Sequence, residues 1–357
     1  MEEVVEKFVE LARIPSPSGK EEKVRKKILE LYSELGKWEV DKTGNMYLSI
    51  GEGEKALFLN AHIDTVPVEK DEIKVIIEDG VIKTDGTTIL GADDKSGVVA
   101  ILEAVKRKKG SFTGRIDIVL TVGEEVGLDG AKSIETERIK AKEGYVLDSH
   151  GRPGYVIASS PFHNTMKFFV YGRSAHAGVE PEKGINAIQL ASRAISKLNL
   201  GKIDFETTAN IGFIKGGAAT NVIPNYTEIW GEARSREEEK LIKITDEIID
   251  TFIKEVESGE GRIEYKLNRE YNGYKLDEND RLIEIIKRIS RKLSFEFILE
   301  PSMGGSDANI FYTKGIKCAV LGTGMTNVHT PNETILVEDL INSEKMVEEI
   351  IVEYFKE

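Results

Sequence analysis

Apolar residues in the first part of the chain follow two alternating periods. Short apolar runs, such as Ala56–His62 and residues 116–122, have the length and composition of buried strands. Between these runs apolar residues recur at helical spacing, as in residues 21–35 and 96–108. Further strands are predicted at 46–50 and 144–147, and a first helix is predicted from Val4. Alternating strands and helices predict an α/β fold with a mixed, mostly parallel sheet.

The pattern changes between residues 162 and 272, where a strand–helix–strand–strand–helix–strand order appears. Its predicted elements are 165–172, 184–198, 207–217, 227–235, 237–257 and 261–269. This β-α-β-β-α-β order is typical of a split βαβ sandwich. The first pattern returns afterwards, with elements predicted at 280–292, 318–324 and 338–355. We therefore predict a larger domain of residues 1–161 and 273–357 and an inserted domain of residues 162–272.

Composition narrows the function classes. The 357 residues suggest two domains, and the net charge of −13 argues against nucleic acid or an anionic membrane as a partner. The N-terminus lacks the pattern of a signal peptide, and no run reaches the roughly 18 apolar residues of a membrane span. Cys318 is the only cysteine, which excludes an internal disulfide and a thiolate-rich metal site. We expect a cytoplasmic protein.

Titratable residues stand out at five places, four of them just after predicted strands or in the turns that follow and the fifth in a Gly-rich loop near the C-terminus. His62 and Asp64 stand two residues apart in "AHIDTVP", so in an extended chain their side chains share a face. The other four places are "GADDKSG" with Asp93 and Asp94, "GEEVG" with Glu124 and Glu125, "VLDSHG" with Asp148, and "NVHTPNE" with His329. Binding sites in open α/β sheets gather at the carboxyl ends of the strands. The residues expected to meet at one edge are therefore His62, Asp93, Glu124, Glu125 and Asp148.

Each place alone has a simpler explanation. Asp93 and Asp94 precede a predicted helix and could cap it, and the others could be ordinary turn residues. Together, however, several carboxylates and an imidazole cannot stay ionised in one place without a cation. Oxygen and nitrogen donors without a thiolate suit Zn²⁺, Mn²⁺ or Co²⁺. The sequence therefore predicts a site for one or two divalent metals.

Such a metal lowers the pKa of the water it binds toward 7 and so supports hydrolysis of a carbonyl compound. One member of the Glu124–Glu125 pair can then bind metal while the other acts as the base. Asp64 would orient the His62 ring through the ring nitrogen that does not bind metal. The sequence contains neither "GxxxxGK[ST]" nor a "GxGxxG" after a predicted strand, which argues against a nucleotide-dependent enzyme. It also lacks the "GxSxG" motif of serine hydrolases.

The ordered motifs resemble a known family over nearly the whole chain. They are "AHIDTVP", "GADDKSG", "GEEVG", "VLDSHG", "GRSAHAG", "GGAATNVIP", "GGSDAN" and "NVHTPNE". This set resembles the M20 metallopeptidase family, and most closely its peptidase T (tripeptidase) and peptidase T-like branch. The resemblance implies a metal-dependent exopeptidase-like catalytic domain, formed by the larger domain. The inserted domain would be a lid that also mediates dimerisation.

The resemblance also implies roles for single residues at the metal site. Two divalent metals, most often zinc, would share Asp93, and the bond between Asp93 and Asp94 would be cis. The remaining implied roles are His62 and Asp148 as ligands of one metal, Glu125 and His329 as ligands of the other, Glu124 as general base and Asp64 as the residue that orients His62. The complete ligand set argues against an inactive relative.

Other implied roles fall mostly in the lid. His176 would stabilise the developing oxyanion, in cis or from the partner subunit of a homodimer. Asn221, Arg234 and Asp307 would contact substrate. From the residues alone, His176 could be a turn residue and Arg234 the partner of Glu232 in an ion pair. No matching position was found for His150 and His163, which are expected at the surface or the lid hinge.

The sequence thus predicts a two-metal peptidase that hydrolyses short peptides, acting as an aminopeptidase on tripeptides and forming a homodimer through its lid. The doubled Asp of "GADDKSG" and the motif "GGSDANIF" favour the tripeptidase branch. One alternative is an M20-type amidohydrolase that removes an acyl group from an amino acid or cleaves dipeptides. Another is a non-catalytic peptide-binding protein with the same fold.

Overall fold

The structure is a computed structural model that describes residues 2–356. Its strands are β1 (Trp38–Val40), β2 (Met46–Gly51), β3 (Ala56–His62), β4 (Val75–Glu78), β5 (Val81–Thr84), β6 (Arg115–Thr121), β7 (Glu143–Ser149), β8 (Tyr155–Ser160), β9 (Phe162–Tyr171), β10 (Gly201–Lys202), β11 (Thr207–Gly216), β12 (Tyr226–Ser235), β13 (Arg262–Tyr271), β14 (Tyr274–Lys275), β15 (Ile298–Pro301), β16 (Lys317–Gly322) and β17 (Thr334–Leu336). Its α-helices are α1 (Glu3–Ala12), α2 (Glu22–Tyr32), α3 (Ala92–Lys108), α4 (Asp129–Ser133), α5 (Ala187–Ile195), α6 (Glu238–Ser258), α7 (Arg281–Leu293), α8 (Asp307–Thr313) and α9 (Val337–Lys356).

The chain divides into two compact units. The first contains residues 1–158, 275–301 and 306–357, and the second contains residues 159–274 and 302–305. The second unit therefore begins and ends close to the inserted domain predicted at 162–272. It differs from that prediction by including the short segment 302–305, which is distant in sequence.

A nine-stranded sheet forms the framework of the first unit. Its strand order is β1-β2-β6-β3-β7-β16-β8-β14, and β15 pairs with β8. The neighbouring strands β6, β3, β7 and β16 run parallel to one another, whereas β2 and β8 join them antiparallel. Every residue of β3 is buried, as its apolar sequence predicts. The mixed α/β fold class expected from the sequence is confirmed.

Helix α3 lies in the core of the first unit. Its residues 92–105 are all buried, and it packs on β3 and β7 and against α1 and α9. Gly97 allows the close approach to β7, because a Cβ at this position would lie only 2.3 Å from the carbonyl oxygen of Leu147. The helix was predicted to begin at residue 96. The assigned helix includes a first turn from Ala92, but the non-helical dihedral angles of Asp93 and Asp94 interrupt it, so the regular helix starts after Asp94, close to the prediction.

The second unit is an antiparallel sheet with two helices. The strand order is β10-β11-β12-β9-β13, and the predicted β-α-β-β-α-β order is confirmed, with the two-residue strand β10 added. Alternate residues of β9, namely Met166, Phe168 and Val170, are buried in a core shared with α5 and α6. Among residues 2–356, no helix combines the length and the apolar composition needed to cross a membrane.

Candidate metal centre

The parallel strands bring the candidate ligands to one edge of the sheet. His62 is the last residue of β3, and Asp148 is the penultimate residue of β7, which pairs with β3. Glu125 follows β6, the other neighbour of β3. Because these three strands run in the same direction, their carboxyl ends lie together. Residues at or just after the ends of these strands can therefore come together at one edge of the sheet.

The Asp93 side chain lies between two imidazoles. Its Oδ1 is 3.0 Å from Nε2 of His62, and its Oδ2 is 3.2 Å from Nε2 of His329. Each imidazole has one further carboxylate: Asp148 Oδ1 is 3.7 Å from His62 Nε2, and Glu125 Oε1 is 3.0 Å from His329 Nε2. Donor atoms that share a tetrahedral zinc ion lie about 3.3 Å apart, so these separations fit metal ligands. The geometry divides the five residues into two halves that share Asp93.

Asp94 lies beside this centre, but its carboxylate accepts hydrogen bonds from the backbone. Its Oδ1 and Oδ2 accept hydrogen bonds from the backbone N–H groups of Gly97 and His62, at 3.1 and 3.2 Å. Its position would allow it to form a metal-binding group with His62 and Asp148. Both of its oxygens accept backbone hydrogen bonds, whereas both oxygens of Asp93 face imidazole nitrogens. The peptide bond between Asp93 and Asp94 is cis, as expected.

The charges of the centre need compensation. Burial and the charges of Asp93 and Asp94 raise the pKa of Asp148 well above its ordinary value. Hydrogen bonds with Asp93 and Glu125 raise the pKa of His329 to about 10, although partial burial opposes this. Burial of the His62 ring lowers its pKa, but Asp64 and Asp93 outweigh burial and raise it. Carboxylates this close together are stabilised in their ionised form by divalent cations.

His329 lies in the loop between β16 and β17. Its φ angle is +63°, in the left-handed region that residues other than glycine rarely adopt. Non-glycine residues in this region are found preferentially at binding sites, where the surrounding structure holds them. This conformation accompanies the contacts of the ring with Asp93 and Glu125.

Asp64 connects the two sides of the site. The Nδ1 atom of His62 is 3.1 Å from the carbonyl oxygen of Asp64, so an N–H at Nδ1 leaves Nε2 free to bind metal. The Asp64 carboxylate accepts hydrogen bonds from Ser18 Oγ at 2.7 Å and from the backbone N–H groups of Glu124 and Glu125 at 3.1 and 3.2 Å. Burial alone would raise the pKa of Asp64, but its hydrogen-bond partners lower it. Asp64 therefore fixes the glutamate pair as well as the His62 ring.

Glu124 carries the carboxylate that was predicted to be the base. Burial and the charge of Asp148 raise its pKa well above the ordinary value, and the charges of Asp307 and Asp93 act in the same direction. These interactions show that Glu124 lies within the charged cluster. No hydrogen bond fixes its side chain among the residues described, whereas Glu125 contacts His329.

Asp307, a predicted substrate contact, is buried. The residue is 1% exposed at the start of α8, and its Oδ2 accepts a hydrogen bond from Thr121 Oγ1. Burial raises its pKa to about 6, although the hydrogen bond from Thr121 lowers it. A contact with substrate stays a prediction for Asp307. In this structure Asp307 is a buried carboxyl group whose charge acts on Glu124 and Asp148.

Two residues with contacts at this site were not predicted from the sequence. Ser18 donates to Asp64, and Glu333 accepts from the turn before Asp93. Ser18 lies in the turn-forming stretch "PSPSG", where an exposed serine would have been unremarkable. Glu333 is the last residue of "NVHTPNE", and its burial, which the sequence does not show, is what distinguishes it from an ordinary acidic residue of a polar loop.

In the second unit, His176 and Asn221 are neighbours. An isolated antiparallel bridge joins His176 to Val222, and the Ala177 N–H donates to the carbonyl oxygen of Asn221. Both His176 and Asn221 are exposed. The His176 Nδ1 accepts a hydrogen bond from the N–H of Gly178 at 3.2 Å, which leaves Nε2 as the atom that can donate outward.

Arg234 belongs to a half-buried group on β9 and β12. Its Nη2 and the Nε2 of His163 both lie 3.0 Å from Oε2 of Glu232. The ion pair of Arg234 with Glu232, considered from the sequence, is thus present, but it runs along one strand rather than between strands. Of the two placements expected for His163, the surface is excluded because its ring is buried and paired, whereas its position in β9, four residues after the second unit begins, is compatible with the hinge. His150 is exposed, beside the ring of Tyr155.

The donor set at the sheet edge is that of a metal-dependent hydrolase. The sequence profile of peptidase family M20/M25/M40 matches residues 58–353, and the chain therefore belongs to this family. YqjE of Bacillus subtilis, an uncharacterised protein, is 39% identical over 367 residues, covering 99% of this chain and 98% of that protein. The protein is thus a hydrolytic metallopeptidase, and the predicted family is confirmed.

Two solved structures resemble the chain over nearly its full length. An aminopeptidase PepT from Bacillus cereus is 37% identical with a TM-score of 0.91, covering 100% of this chain and 99% of that one. A tripeptidase from Staphylococcus aureus is 33% identical with a TM-score of 0.94, covering 99% of this chain and 98% of that one. The similarity therefore includes both units.

Proposed function

We propose that the protein is an aminopeptidase that releases the N-terminal residue of tripeptides. The observation that carries this proposal is the full-length similarity to an aminopeptidase PepT and a tripeptidase, at 37% and 33% identity. Both sequence identities are high enough to support a shared activity as well as a shared fold. The arrangement of Asp93 between two imidazoles agrees with a hydrolase that uses two metals.

The residues present fit two divalent metals. His62 and Asp148 would hold one ion, Glu125 and His329 the other, and Asp93 both. Zinc suits this set of imidazole and carboxylate donors, and manganese or cobalt would also fit. When bound, the metals would polarise the peptide carbonyl and lower the pKa of water.

Glu124 would accept the proton of the attacking water and pass it to the leaving amine. Its position next to Glu125 places the base beside a ligand, and Asp64 holds the backbone of both glutamates. Burial strengthens the electrostatic interactions of a carboxylate in such a site. Two adjacent glutamates would thus divide ligation and proton transfer between them.

The second unit would act as a lid and as the interface of a homodimer. Ten of the fifteen exposed large apolar side chains lie in this unit, which comprises about a third of the chain. In addition, β13 is a ten-residue strand at the edge of its sheet, where a strand of a second copy could pair with it. Exposed apolar surface and a long edge strand favour association. His176 would then complete the site from the partner subunit, and Asn221 and Arg234 would contact substrate.

Hydrolysis of Leu-Gly-Gly, a dipeptide and an N-acetyl amino acid, each with and without added Zn²⁺, Mn²⁺ or Co²⁺, tests the proposal. An aminopeptidase releases Leu and Gly-Gly and leaves N-acetylated Leu-Gly-Gly intact. Release of Gly and Leu-Gly would indicate a carboxypeptidase, and cleavage of only the acyl amino acid or the dipeptide would indicate another amidohydrolase. Binding without turnover would indicate a peptide-binding protein. Glu124→Gln, purified in parallel, controls for contaminating peptidases.

A cytoplasmic location stays a prediction from the sequence. Its support is the single buried thiol of Cys318, which forms no disulfide.

A further inference from the structure

Glu333 is a buried carboxylate that accepts three backbone hydrogen bonds. The side chain is 1% exposed. Its Oε2 accepts from the N–H groups of Leu90 and Gly91, both at 2.7 Å, and its Oε1 accepts from the N–H of Asp93 at 3.0 Å. The three donors lie together in the irregular turn at the start of α3.

This turn depends on an acceptor from elsewhere in the chain. Gly91 has a φ angle of +74° and Asp93 has non-helical angles, so the turn is not a regular helical end. Its N–H groups are buried and need an acceptor, because an unpaired buried N–H is costly. Glu333 supplies it over a separation of 240 residues in sequence from Asp93.

Glu333 also belongs to the loop that carries His329. The Glu333 N–H donates to the carbonyl oxygen of Thr330 at 3.0 Å, which closes a tight turn directly after His329. One side chain thus connects the segment of Asp93 to the segment of His329. The Oδ2 of Asp93 and the Nε2 of His329 lie 3.2 Å apart.

We propose that Glu333 is a positioning residue that holds the Asp93 turn against the His329 loop and so sets the spacing of the two ligands. The inference rests on the proposed metal site. Glu333 does not touch metal or substrate itself. It acts through the backbone of Asp93.

Neither close analogue of glutamate can replace it. In Glu333→Gln one oxygen becomes an NH₂ group, which cannot accept from an N–H, so at least one turn donor loses its partner. In Glu333→Asp the charge remains, but the side chain is one methylene shorter and cannot reach both Leu90 and Asp93. We therefore expect both variants to loosen the turn, for different reasons.

The two halves of the centre should respond differently. His62 is held by Asp64 and lies at the end of β3, independently of Glu333. His329 lies in a loop that Glu333 connects to the turn at the start of α3. Both halves share Asp93, so both can be affected, but only the half that contains His329 also depends on the loop that Glu333 belongs to. That half should therefore lose more affinity, while the half that contains His62 and Asp148 should still bind an ion.

The experiment is a stepwise Zn²⁺ titration of the metal-free protein, with bound metal measured by equilibrium dialysis. Wild type should bind two ions, and Glu333→Gln should bind one of them about 10- to 100-fold more weakly, the usual effect of losing a residue that supports a ligand. Hydrogen exchange of residues 88–96 in the metal-free protein should become faster in the variant. This second measurement does not depend on activity.

Two control variants separate positioning from a general loss of charge or stability. Glu338→Gln removes an exposed carboxylate that pairs with Arg152 and should bind two ions as wild type does. Ile351→Ala removes packing from buried α9 and should lower the melting temperature without changing either metal affinity. If Glu333→Gln does not fold, Glu333→Asp is measured in the same way.

Wild-type affinity for both ions together with unchanged exchange of residues 88–96 in a folded Glu333 variant would overturn the proposal. Equal weakening of both ions would also overturn it, because a residue that sets the spacing between Asp93 and His329 must affect the half that contains His329 more than the other. If wild type itself binds no divalent metal, the proposed function fails. The exchange measurement then still decides whether Glu333 holds the turn.

Discussion

Replacing Asp64 with asparagine should impair metal binding and catalysis together. The Asp64 carboxylate accepts from Ser18, Glu124 and Glu125, and its Oδ1 is 3.4 Å from the Nδ1 of His62. An asparagine retains one oxygen. If that oxygen keeps the partners of Oδ2, which are Ser18 and Glu125, the new NH₂ group faces the N–H of Glu124 and the ring of His62.

The expected magnitude follows from these contacts. One buried N–H without an acceptor costs about 1–3 kcal/mol. If the whole cost fell on the transition state, the rate would drop about 5- to 150-fold, because about 1.4 kcal/mol corresponds to tenfold. Part of the cost can fall on folding instead, so we expect a loss of about 10- to 100-fold in kcat/KM and in metal affinity.

The assay combines kcat/KM for a tripeptide, metal content after dialysis, and denaturant unfolding for the free energy of unfolding. Ser18→Ala is the matched control, because it removes one donor and leaves both oxygens of Asp64 in place. Its cost should be about 0.5–1.5 kcal/mol, or at most about tenfold. Asp64→Asn with wild-type metal affinity and kcat/KM would refute the reasoning, and so would a larger loss in Ser18→Ala than in Asp64→Asn.

Three further predictions concern the base, the lid and the response to pH. Glu124→Ala should keep both metals and lose at least about a hundredfold in kcat, whereas Asp93→Ala should lose both ions. Metal analysis of the two variants checks this prediction. Metal loss in Glu124→Ala would reverse the assignment of the two glutamates. For the lid, wild type mixed with the double variant His176→Ala/Glu124→Ala should form nearly inactive mixed dimers if His176 acts from the partner subunit, and dimers with half the wild-type activity would end that idea. The hydrogen bond with His163 and the charge of Arg234 lower the pKa of Glu232 from 4.5 to about 2. A carboxylate with a lowered pKa stabilises the fold above its unfolded pKa, so this stability should be lost as pH falls from 4.5 to about 2. Thermal denaturation across this window should show a smaller pH dependence in Glu232→Gln, and an unchanged slope would contradict the prediction.

The sequence by itself determined which residues could form the centre. Alternating periods of apolar residues identified β3, β6 and β7, and parallel strands share one edge at their carboxyl ends. His62 and Asp148 could therefore be placed at the same edge from local pattern alone. The inserted β-α-β-β-α-β unit was equally visible, because its strands and helices have strong and regular periods.

Only the tertiary structure decided how these residues are held. Asp93 and Asp94 are identical in type and adjacent in sequence, yet one faces two imidazoles and the other accepts backbone N–H groups of His62 and Gly97. The burial of Asp307 and the pairing of His163 with Glu232 depend on neighbours from other strands or helices.

Glu333 is the clearest case. The three N–H groups that donate to it are more than 200 residues away in sequence, and the sequence around Glu333 does not predict these hydrogen bonds. Hydrophobic periodicity reports local structure and the faces that become buried. The satisfaction of individual buried polar groups depends on contacts between distant segments, and those contacts exist only once the chain has folded.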